Sequence, residues 1–386
     1  MSEIDSLEQG FWYGKRVLVT GHTGFKGGWL CYWLHLLGAH VTGYAQVPAT
    51  APHLFGLLGL AEMVDSNYGD IVDSQALRHV MAESRPEVVF HLAAQAQVVP
   101  SYVQPLDTFS TNVMGTVAVL EALRHCVSAR VCVVVTSDKC YAQPGTGLPF
   151  SESDPLGGSD PYSASKAAAE LAVAAYRRSY FGGVAACSIA TVRAGNALGG
   201  GDWSGHRLMP NSIRALVAGE PIRLTQPHAV RPWQYVLEPL SGYLSLAEHQ
   251  YADPRAYAES WNFGPEGKKP VSVRELAQLI IAEWGGGSIV LSDPVRGHCE
   301  EPNLCISISK VQQRLEWQPA FDLAHTVRAT VHSYRALYGA MAGSCSVTQQ
   351  VRTQCASDIA AYTRTARAKG IAWAVRNTLN ITGVAD

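Results

Sequence analysis

The stretch "VTGHTGFKGGWL" constrains the fold of this 386-residue chain more than any other. It places Gly21, Gly24 and Gly27 after a predicted apolar strand at 16–20 and before a predicted helix at 26–37. Glycines at this GxxGxxG spacing let the backbone turn tightly, so that the N–H groups of the helix can approach a dinucleotide diphosphate. The same triplet also occurs in ordinary tight turns, and it indicates a dinucleotide site only when it lies within a βαβ unit.

That context is present, because short apolar runs alternate with helical patterns up to residue 193. The predicted strands are 16–20, 41–45, 87–92, 131–135 and 186–193, and the predicted helices are 26–37, 74–84, 106–125 and 161–179. Continuous apolar strands separated by helices indicate a parallel sheet that is covered on both faces. The expected fold class is α/β, a Rossmann-type doubly wound parallel sheet with a smaller C-terminal substrate-binding lobe.

The pattern loosens after residue 193, where the Gly-rich stretch "AGNALGGGDWSGHRLMP" is predicted to be a loop. Further predictions are helices near 211–218, 238–250 and 273–283 and an edge strand at 222–225. We expect an NAD-binding Rossmann domain at 1–195, to which 230–260 returns, and a substrate-binding lobe with a C-terminal tail at 196–229 and 261–386. The polar segment 344–386 is compatible with either a docked helix or a loosely held tail.

Composition argues against several classes of protein. The formal net charge is −2, with 30 basic and 32 acidic residues and no basic block, so no nucleic-acid partner is expected. The nine cysteines form no CxxC pair and suit a reducing cytosol, and the 13 histidines lack paired-ligand spacing, so no metal site is expected. Without a signal-peptide pattern or an apolar run of ~18 residues, we expect a soluble cytoplasmic protein with no membrane contact.

A candidate catalytic pair lies in the motif "DPYSASK", where Tyr162 and Lys166 are four residues apart and share one face of a predicted helix. An ammonium group beside a phenol is expected to lower the phenol pKa from its usual value near ~10. Such a tyrosine can take the proton of an alcohol while hydride leaves the same carbon for a nicotinamide. Taken alone, the spacing also fits a surface pair without a function.

The stretch "TSDKCYA" follows the apolar strand 131–135 and places Ser137, Asp138 and Lys139 at its carboxyl end. In a parallel sheet the chemistry lies beyond these ends, so the three residues are candidates for an active site. The alternative is an ion pair between Asp138 and Lys139. It is disfavoured because neighbours on an extended chain point to opposite faces.

The end of the second strand bears on the choice of dinucleotide. It reads Ala45-Gln46-Val47, with no acid for a ribose and no arginine for a 2′-phosphate, so NAD is preferred only mildly. The stretch "GDIVD" places Asp70 and Ile71 at the expected adenine edge. A plain turn followed by a helix N-cap at Asp73 is the alternative.

Together these motifs resemble the extended short-chain dehydrogenase/reductase family. The stretches that carry the resemblance are "GHTGFKG", "FHLAAQ", "STNVMGTV", "TSDKCY", "DPYSASK", "VRAGNALGGGDW", "RPWQYVLEPLSGYL" and "WNFGP", between about residues 14 and 319. Within the family, the chain is similar to the 4,6-dehydratases that act on CDP-glucose. Related dTDP-glucose enzymes have "TDE" at the positions of Ser137, Asp138 and Lys139.

The resemblance implies a nucleotide-sugar dehydratase that uses NAD. Tyr162 would deprotonate the C4 hydroxyl as hydride moves to NAD, and Ser137 would bond the C4 oxygen. Lys139 would remove the C5 proton, and a protonated Asp138 would help the C6 hydroxyl leave as water before hydride returns to C6. The amine of Lys139 must be unprotonated for this, and the loss of positive charge from the nicotinamide would favour that state. The product would be CDP-4-keto-6-deoxyglucose.

The resemblance also implies binding residues. The expected cofactor contacts are Gly21, Thr23, Gly24, Phe25, Lys26, Gly27, Asp70, Ile71, Ala93, Ala94, Tyr162 and Lys166. The expected substrate contacts are Gln95, Arg193, Asn196, Arg207 and Arg231, since arginine forks suit diphosphate oxygens. Each of these arginines could equally be structural. The family also implies a homodimer or higher homo-oligomer through the helices 106–125 and 161–179, although burial within one subunit would give the same pattern.

Some positions depart from the subgroup and leave other functions open. Val99 stands where the subgroup has arginine, residues 299–302 differ, and Ser307 replaces a usual aspartate. A dehydratase or C4-epimerase for another nucleotide sugar is therefore an alternative. A catalytically silent NAD-binding regulator is a second one, against which the intact Ser137, Tyr162 and Lys166 argue.

Overall fold

Thirteen strands occur in the computed structural model, which describes residues 10–142, 148–183, 187–266, 271–293, 303–343 and 345–376. In chain order they are β1 Arg16–Thr20, β2 His40–Ala45, β3 Asp65–Tyr68, β4 Val88–His91, β5 Val131–Val135, β6 Ser188–Ala194, β7 Ala197–Leu198, β8 Ile222–Leu224, β9 Val230–Arg231, β10 Gln234–Tyr235, β11 Ser260–Phe263, β12 Val271–Ser272 and β13 Ile289–Leu291. Seven of them form one parallel sheet in the order β11-β6-β5-β4-β1-β2-β3. The predicted Rossmann-type sheet is therefore confirmed.

Within the seven-stranded sheet, sequence patterns did not predict β3 and β11, which are its two edge strands. Central strands such as β4 and β5 are buried on both faces and consist almost entirely of apolar residues. An edge strand needs less apolar surface, and β3 reads "DSNY". The predicted edge strand at 222–225 is β8, which pairs in parallel with β13 outside the main sheet.

The helices cover both faces of the sheet. In chain order they are α1 Phe25–Leu36, α2 Leu54–Leu57, α3 Ser74–Ser84, α4 Val98–Val103, α5 Pro105–Phe109, α6 Gly115–Arg124, α7 Pro161–Tyr180, α8 Leu208–Val217, α9 Leu237–Ala252, α10 Val273–Trp284, α11 Ser309–Arg314, α12 Leu323–Ala342, α13 Val347–Ala368 and α14 Ala372–Arg376. One apolar cluster joins the sheet to α3, α6 and α7, and a larger one joins it to α1, α9 and the C-terminal helices. Among the described residues, no helix combines the length and the apolar character that a bilayer crossing requires.

The helix predicted at 106–125 is not a single α-helix. A π turn at Ser110–Met114 separates α5 from α6. Asn112 lies in this turn, is buried, and bonds the backbone of Gln95 with both ends of its amide and the hydroxyl of Ser165 with its nitrogen. The extra residue of the π turn aims this amide at the loop after β4, a tertiary demand that helical periodicity does not reveal.

The end of the chain is a docked helix as far as residue 376. Helix α13 packs on α1, where the ring of Trp33 lies edge-on to Tyr362 at 6.1 Å and close to Trp373. The C-terminal helices thus share the core of the sheet. Residues 377–386 of the expected tail lie outside the described residues.

Within the segment 230–260, α9 lies on β5 and β6, and β11 extends the same sheet from residue 260. Strand β11 runs to Phe263, three residues beyond the boundary expected at 260. The division into a Rossmann domain and a substrate-binding lobe stays a prediction.

Candidate active site

A cleft of about 1270 Å³ opens at the carboxyl edge of the sheet. The glycine turn, the loops after β2, β4, β5 and β6, and the segment 202–231 line it. The ends of parallel strands gather at one edge, which is why residues from distant parts of the chain meet here. All the predicted site residues except Arg193 line this cleft.

The glycine turn has the shape that a dinucleotide needs. Gly21 has φ +77°, and a Cβ atom there would lie 2.7 Å from the backbone nitrogen of Ala93. A Cβ atom on Gly27 would lie 2.1 Å from the carbonyl oxygen of Gly21. Gly24 is the N-cap of α1 and supplies no side chain that would occupy the first N–H groups of the helix. These residues therefore fit a diphosphate at the N-terminus of α1.

The expected adenosine end of the cleft is built by a chain of hydrogen bonds. The Thr23 hydroxyl donates to the Gln46 carbonyl at 2.9 Å, and Gln46 Nε2 donates to Asp70 Oδ2 at 2.9 Å. Asp70 follows β3 and could supply the ribose-binding acid that β2 lacks. The sequence did not indicate Gln46 as the hydrogen-bond partner of Asp70. The alternative reading of this turn also has a basis, because Asp73 caps α3 by accepting from the N–H groups of Gln75 and Ala76.

The stretch after β5 is a 3₁₀ turn, Asp138–Cys140, and Ser137 is its N-cap. The Ser137 hydroxyl accepts from the N–H of Lys139 at 3.2 Å and donates to Asp138 Oδ1 at 3.1 Å. The expectation that Asp138 and Lys139 diverge on an extended chain is therefore wrong. The backbone turns here, and the charge of Lys139 acts on the Asp138 carboxyl.

Asp138 is buried, and within the described part of the chain its Oδ2 atom has no hydrogen-bond partner. Burial raises the pKa of this carboxyl, and this effect outweighs the charge of Lys139 and the hydrogen bond from Ser137, which lower it. Burial thus makes this carboxyl a better proton donor candidate than an exposed aspartate would be.

Tyr162 and Lys166 lie in the first turns of α7, which begins at Pro161 and is capped by the Asp160 side chain. Burial raises the pKa of Tyr162 to about 12, although a hydrogen bond from Ser137 opposes it. Burial and the charge of Lys26 lower the pKa of Lys166 to about 8, and its Nζ donates to the Val135 carbonyl at 3.2 Å. The predicted lowering of the Tyr162 pKa by Lys166 is contradicted, because burial penalises the phenolate more strongly than its neighbours stabilise it.

Two further cations reach the centre of the cleft. Burial and the charge of Arg207 lower the pKa of Lys26 to about 8. Arg207 pairs with Asp202 at 2.9 Å and donates to the Ala96 carbonyl at 3.4 Å, so it bridges two walls of the cleft. The role of Asp202 as the partner of Arg207 was missed, although it stands in the quoted stretch "GGGDW".

The remaining predicted substrate residues differ in their contacts. Arg231 lines the cleft and donates to the Val230 carbonyl at 2.8 Å, and Asn196 lines it beside β7. The Gln95 amide bonds the backbone of Gln97 and the Thr108 hydroxyl, which holds the loop after β4. Val99 is part of an apolar wall at the start of α4.

The expectation that Arg193 contacts the substrate is not supported. Its guanidinium forks onto the buried Glu170 through Nε at 3.0 Å and Nη2 at 2.9 Å, and it donates to the Tyr141 hydroxyl. Glu170 also accepts from the hydroxyl of Thr136, the residue before Ser137. Arg193 therefore stabilises, through Glu170 and Thr136, the start of the 3₁₀ turn at Asp138–Cys140, on the side away from the cleft. Of the other departures, Ser307 bonds the hydroxyl of Ser309, and 299–302 lie outside the described residues.

The chain matches the family model described as GDP-mannose 4,6 dehydratase over residues 18–330. It is 42% identical to CDP-glucose 4,6-dehydratase of Salmonella typhimurium over 337 residues, which is 86% of this chain and 93% of that protein. It is 28% identical to dTDP-glucose 4,6-dehydratase of Xanthomonas campestris over 82% of this chain and 92% of that protein.

Solved structures share the fold. UDP-glucose 4-epimerase of Thermotoga maritima superposes with a TM-score of 0.73 at 22% identity, covering 83% of this chain and 98% of that one. dTDP-glucose 4,6-dehydratase of Bacillus anthracis, in complex with NAD, gives 0.69 at 22% identity over 83% and 96%. Because the family model spans most of the chain and the Salmonella protein is similar over nearly its whole length, this protein belongs to the GDP-mannose 4,6-dehydratase family of extended short-chain dehydrogenases/reductases.

Proposed function

We propose that this protein is an NAD-dependent nucleotide-sugar 4,6-dehydratase and that it converts CDP-glucose to CDP-4-keto-6-deoxyglucose. The observation that carries the proposal is the buried Asp138 carboxyl, whose raised pKa and unbonded Oδ2 suit a proton donor. It lies in one cleft with Tyr162, Lys139 and the glycine turn. The similarity to the Salmonella CDP-glucose enzyme supports the choice of nucleotide.

The glycine turn, Ala93, Ala94 and Asp70 would hold NAD along the cleft, with the diphosphate at the N-terminus of α1. When bound, NAD supplies the oxidising power, by taking hydride from C4 of the sugar and returning it to C6. The chain's own residues move the protons. Tyr162 would take the proton of the C4 hydroxyl as a phenolate, a form that burial opposes and that hydrogen bonding with Ser137 and the charge of Arg207 favour.

Elimination of water then needs a base at C5 and an acid at C6. Lys139 lies on the cleft wall and is the candidate base, while Asp138 protonates the departing C6 hydroxyl. A 4-epimerase leaves the C6 hydroxyl in place and has no use for such an acid. The buried carboxyl of Asp138, whose pKa burial raises, therefore favours dehydration over epimerisation.

The substrate's diphosphate would lie against Arg207 and Arg231, with Asn196 and Gln95 nearer the sugar. Arg207 would exchange its bond to the Ala96 carbonyl for a phosphate oxygen, because a charge-assisted bond is the stronger one. The apolar wall at Val99 would face a part of the substrate that carries no charge.

The proposal is tested by incubating the purified protein and NAD with CDP-, UDP-, GDP- and dTDP-glucose and weighing the products by mass spectrometry. We expect the loss of one water from the CDP sugar and a 4-keto product that absorbs near-ultraviolet light in alkali. A product of unchanged mass would indicate epimerisation, and the absence of any product would indicate a non-catalytic nucleotide-binding protein.

We also propose a homodimer formed through α5, α6 and α7. These helices pack on one another and expose large apolar side chains, among them Leu106 on α5, Met114 in the π turn and Leu171 on α7. Their exposed fractions of 80%, 55% and 60% are high for apolar residues on helices that already cover the sheet. A second copy of the same surface would bury them.

A further inference from the structure

Helix α13 lies beyond the part of the chain that the family model matches, which ends at residue 330. It packs on α1 and α2, the elements on the cofactor side of the cleft. Helix α1 begins at the glycine turn, and α13 contacts it further along, at Tyr32 and Trp33. The question is what this added helix does for the elements beneath it.

Arg352 of α13 reaches the end of α2. Its Nε donates to the Leu58 carbonyl at 2.8 Å, and its Nη2 donates to the Gly59 carbonyl at 3.2 Å and pairs with Glu62 at 3.0 Å. Leu58 is the C-cap of α2, and Gly59 follows it in the left-handed conformation with φ 59°. The last carbonyls of a helix lack partners within the helix, and a helix of four residues cannot hold its shape alone. Arg352 therefore supplies the cap of α2 from 294 residues away.

Helix α2 in turn packs on the glycine turn. The Phe55 ring lies edge-on to the ring of His22 at 5.3 Å, and His22 stands inside "GHTGFKG". Leu54 fills the space beside two glycines. A Cβ atom on Gly28 of α1 would lie 3.5 Å from the Leu54 side chain, and one on Gly201, in the Gly-rich loop after β7, would lie 2.8 Å from it. The position of α2 thus sets the packing of the turn and of the loop opposite.

The same arginine is tied to α1 directly. The Tyr32 hydroxyl of α1 donates to the Arg352 carbonyl at 2.8 Å. One residue of α13 therefore holds α1 through its backbone and α2 through its guanidinium. Both contacts lie outside the cleft, and Arg352 does not line it, so it would not touch a bound dinucleotide.

We propose that α13 is a positioning element for the cofactor site, in which Arg352 caps α2 and, through Phe55 and Leu54, holds the glycine turn in the shape that receives the dinucleotide. This inference rests on the proposed use of NAD. It predicts that loosening α2 weakens NAD binding and leaves the chemistry of the bound complex unchanged.

The test compares Arg352→Gln with Arg364→Gln, a matched loss of charge at an exposed position of α13. For each full-length protein, the NAD retained through gel filtration and the dissociation constant of NAD are measured. Activity at saturating NAD and the melting temperature are recorded beside them. We expect Arg352→Gln to bind NAD about tenfold more weakly, as for the loss of charge-assisted hydrogen bonds. Its kcat should recover at saturating NAD, and Arg364→Gln should match the wild type.

Two more variants guard against a general loss of structure. Arg352→Lys keeps the positive charge and one donor group, so it should restore part of the affinity. Phe55→Leu changes the contact between α2 and the glycine turn, so it should weaken NAD binding while Arg352 stays in place. Wild-type NAD affinity in both Arg352→Gln and Phe55→Leu would overturn the inference and leave the proposed function standing. A lower kcat or melting temperature with unchanged NAD affinity would also overturn it. A wild-type protein that binds no NAD would instead overturn the proposed function.

Discussion

Burial sets the charge of the side chains in the cleft. It raises the pKa of Asp138 and of Tyr162, and it lowers the pKa of Lys26 and of Lys166 to about 8. The cause is the same each time, since removal from water disfavours whichever form is charged. Within the cleft, burial thus shifts the acid and the phenol towards their uncharged forms and leaves two amines with pKa values of about 8, so both proton donors and proton acceptors are at hand.

Replacing Asp138 with asparagine separates the two halves of the proposed reaction. The amide keeps the shape of the carboxyl but has no acidic proton, so elimination of water should slow by about 10²-fold or more. Oxidation at C4 should continue, because Tyr162 and Ser137 are unchanged. Stopped-flow absorbance of reduced nicotinamide, measured beside the mass of the product, distinguishes the two steps. Water loss at the wild-type rate would remove Asp138 from the proposed role.

At the same scale, the sequence predicts the candidate catalytic residues better than the residues that support them. Local motifs name Ser137, Tyr162 and Lys166, and all three line the cleft. Arg193 was assigned to the substrate because its type suits phosphate, yet Glu170 takes its guanidinium. No local spacing shows this, because the pair forms only when β6 packs against α7. A sequence shows which chemistry a side chain can perform, but it does not show which residue that side chain pairs with in the folded protein.

Among secondary-structure elements, those with one strong pattern were predictable. Central strands such as β5 are continuous apolar runs, and α7 begins with Asp160-Pro161, which marks a helix start. The edge strand β3 and the π turn carry no such pattern. The sequence of α13 does not distinguish a docked helix from a tail because its mean composition is polar, although its buried face reaches Trp33 and Tyr235. Its apolar residues are spread over six turns, and a single surface gathers them only in the folded chain.

The α13 interface also buries acidic groups that the proposed reaction does not use. Burial raises the pKa of Asp358 to about 7, and its Oδ1 accepts from Gln354 at 2.8 Å. Burial likewise raises the pKa of Glu238 to about 7, although the Tyr362 hydroxyl and two backbone N–H groups donate to it. The neutral form of each acid suits the folded protein better than the charged form.

This makes the stability of the protein depend on pH. The folded pKa of Asp358 lies above its unfolded value of 3.8, so the stabilising effect is complete below about pH 4 and is lost as pH rises towards 7. We expect Asp358→Asn, which is neutral at every pH, to raise the free energy of unfolding by about 2 kcal/mol at pH 8 and by little at pH 4. Urea unfolding at both values measures this. The exposed Asp65→Asn serves as the control, and equal pH dependence in all three proteins would contradict the prediction.

The whole molecule is organised as one core with a cleft at its edge. A single apolar cluster extends from the sheet through α9 and α12 to α13 and α14, so the C-terminal helices should unfold together with the sheet. The cofactor side and the substrate side of the cleft are both tied to this core. For example, the Trp29 indole of α1 donates to the carbonyl of Gly200, in the Gly-rich loop after β7. The face made by α5 and α7 differs, since its apolar residues point to solvent.

That face gives the prediction that belongs to the whole molecule. A stable homodimer buries roughly 800 Å² on each partner, and a few side chains buried at its centre carry most of the affinity. We expect the wild type to have twice the chain mass in light scattering, and Leu106→Glu and Leu171→Glu to shift it to the monomer, because each would bury an unpaired charge. Leu279→Glu, on the exposed side of α10, should leave the mass unchanged. A monomeric wild type, or a dimer that survives both substitutions on α5 and α7, would show that this face has another use.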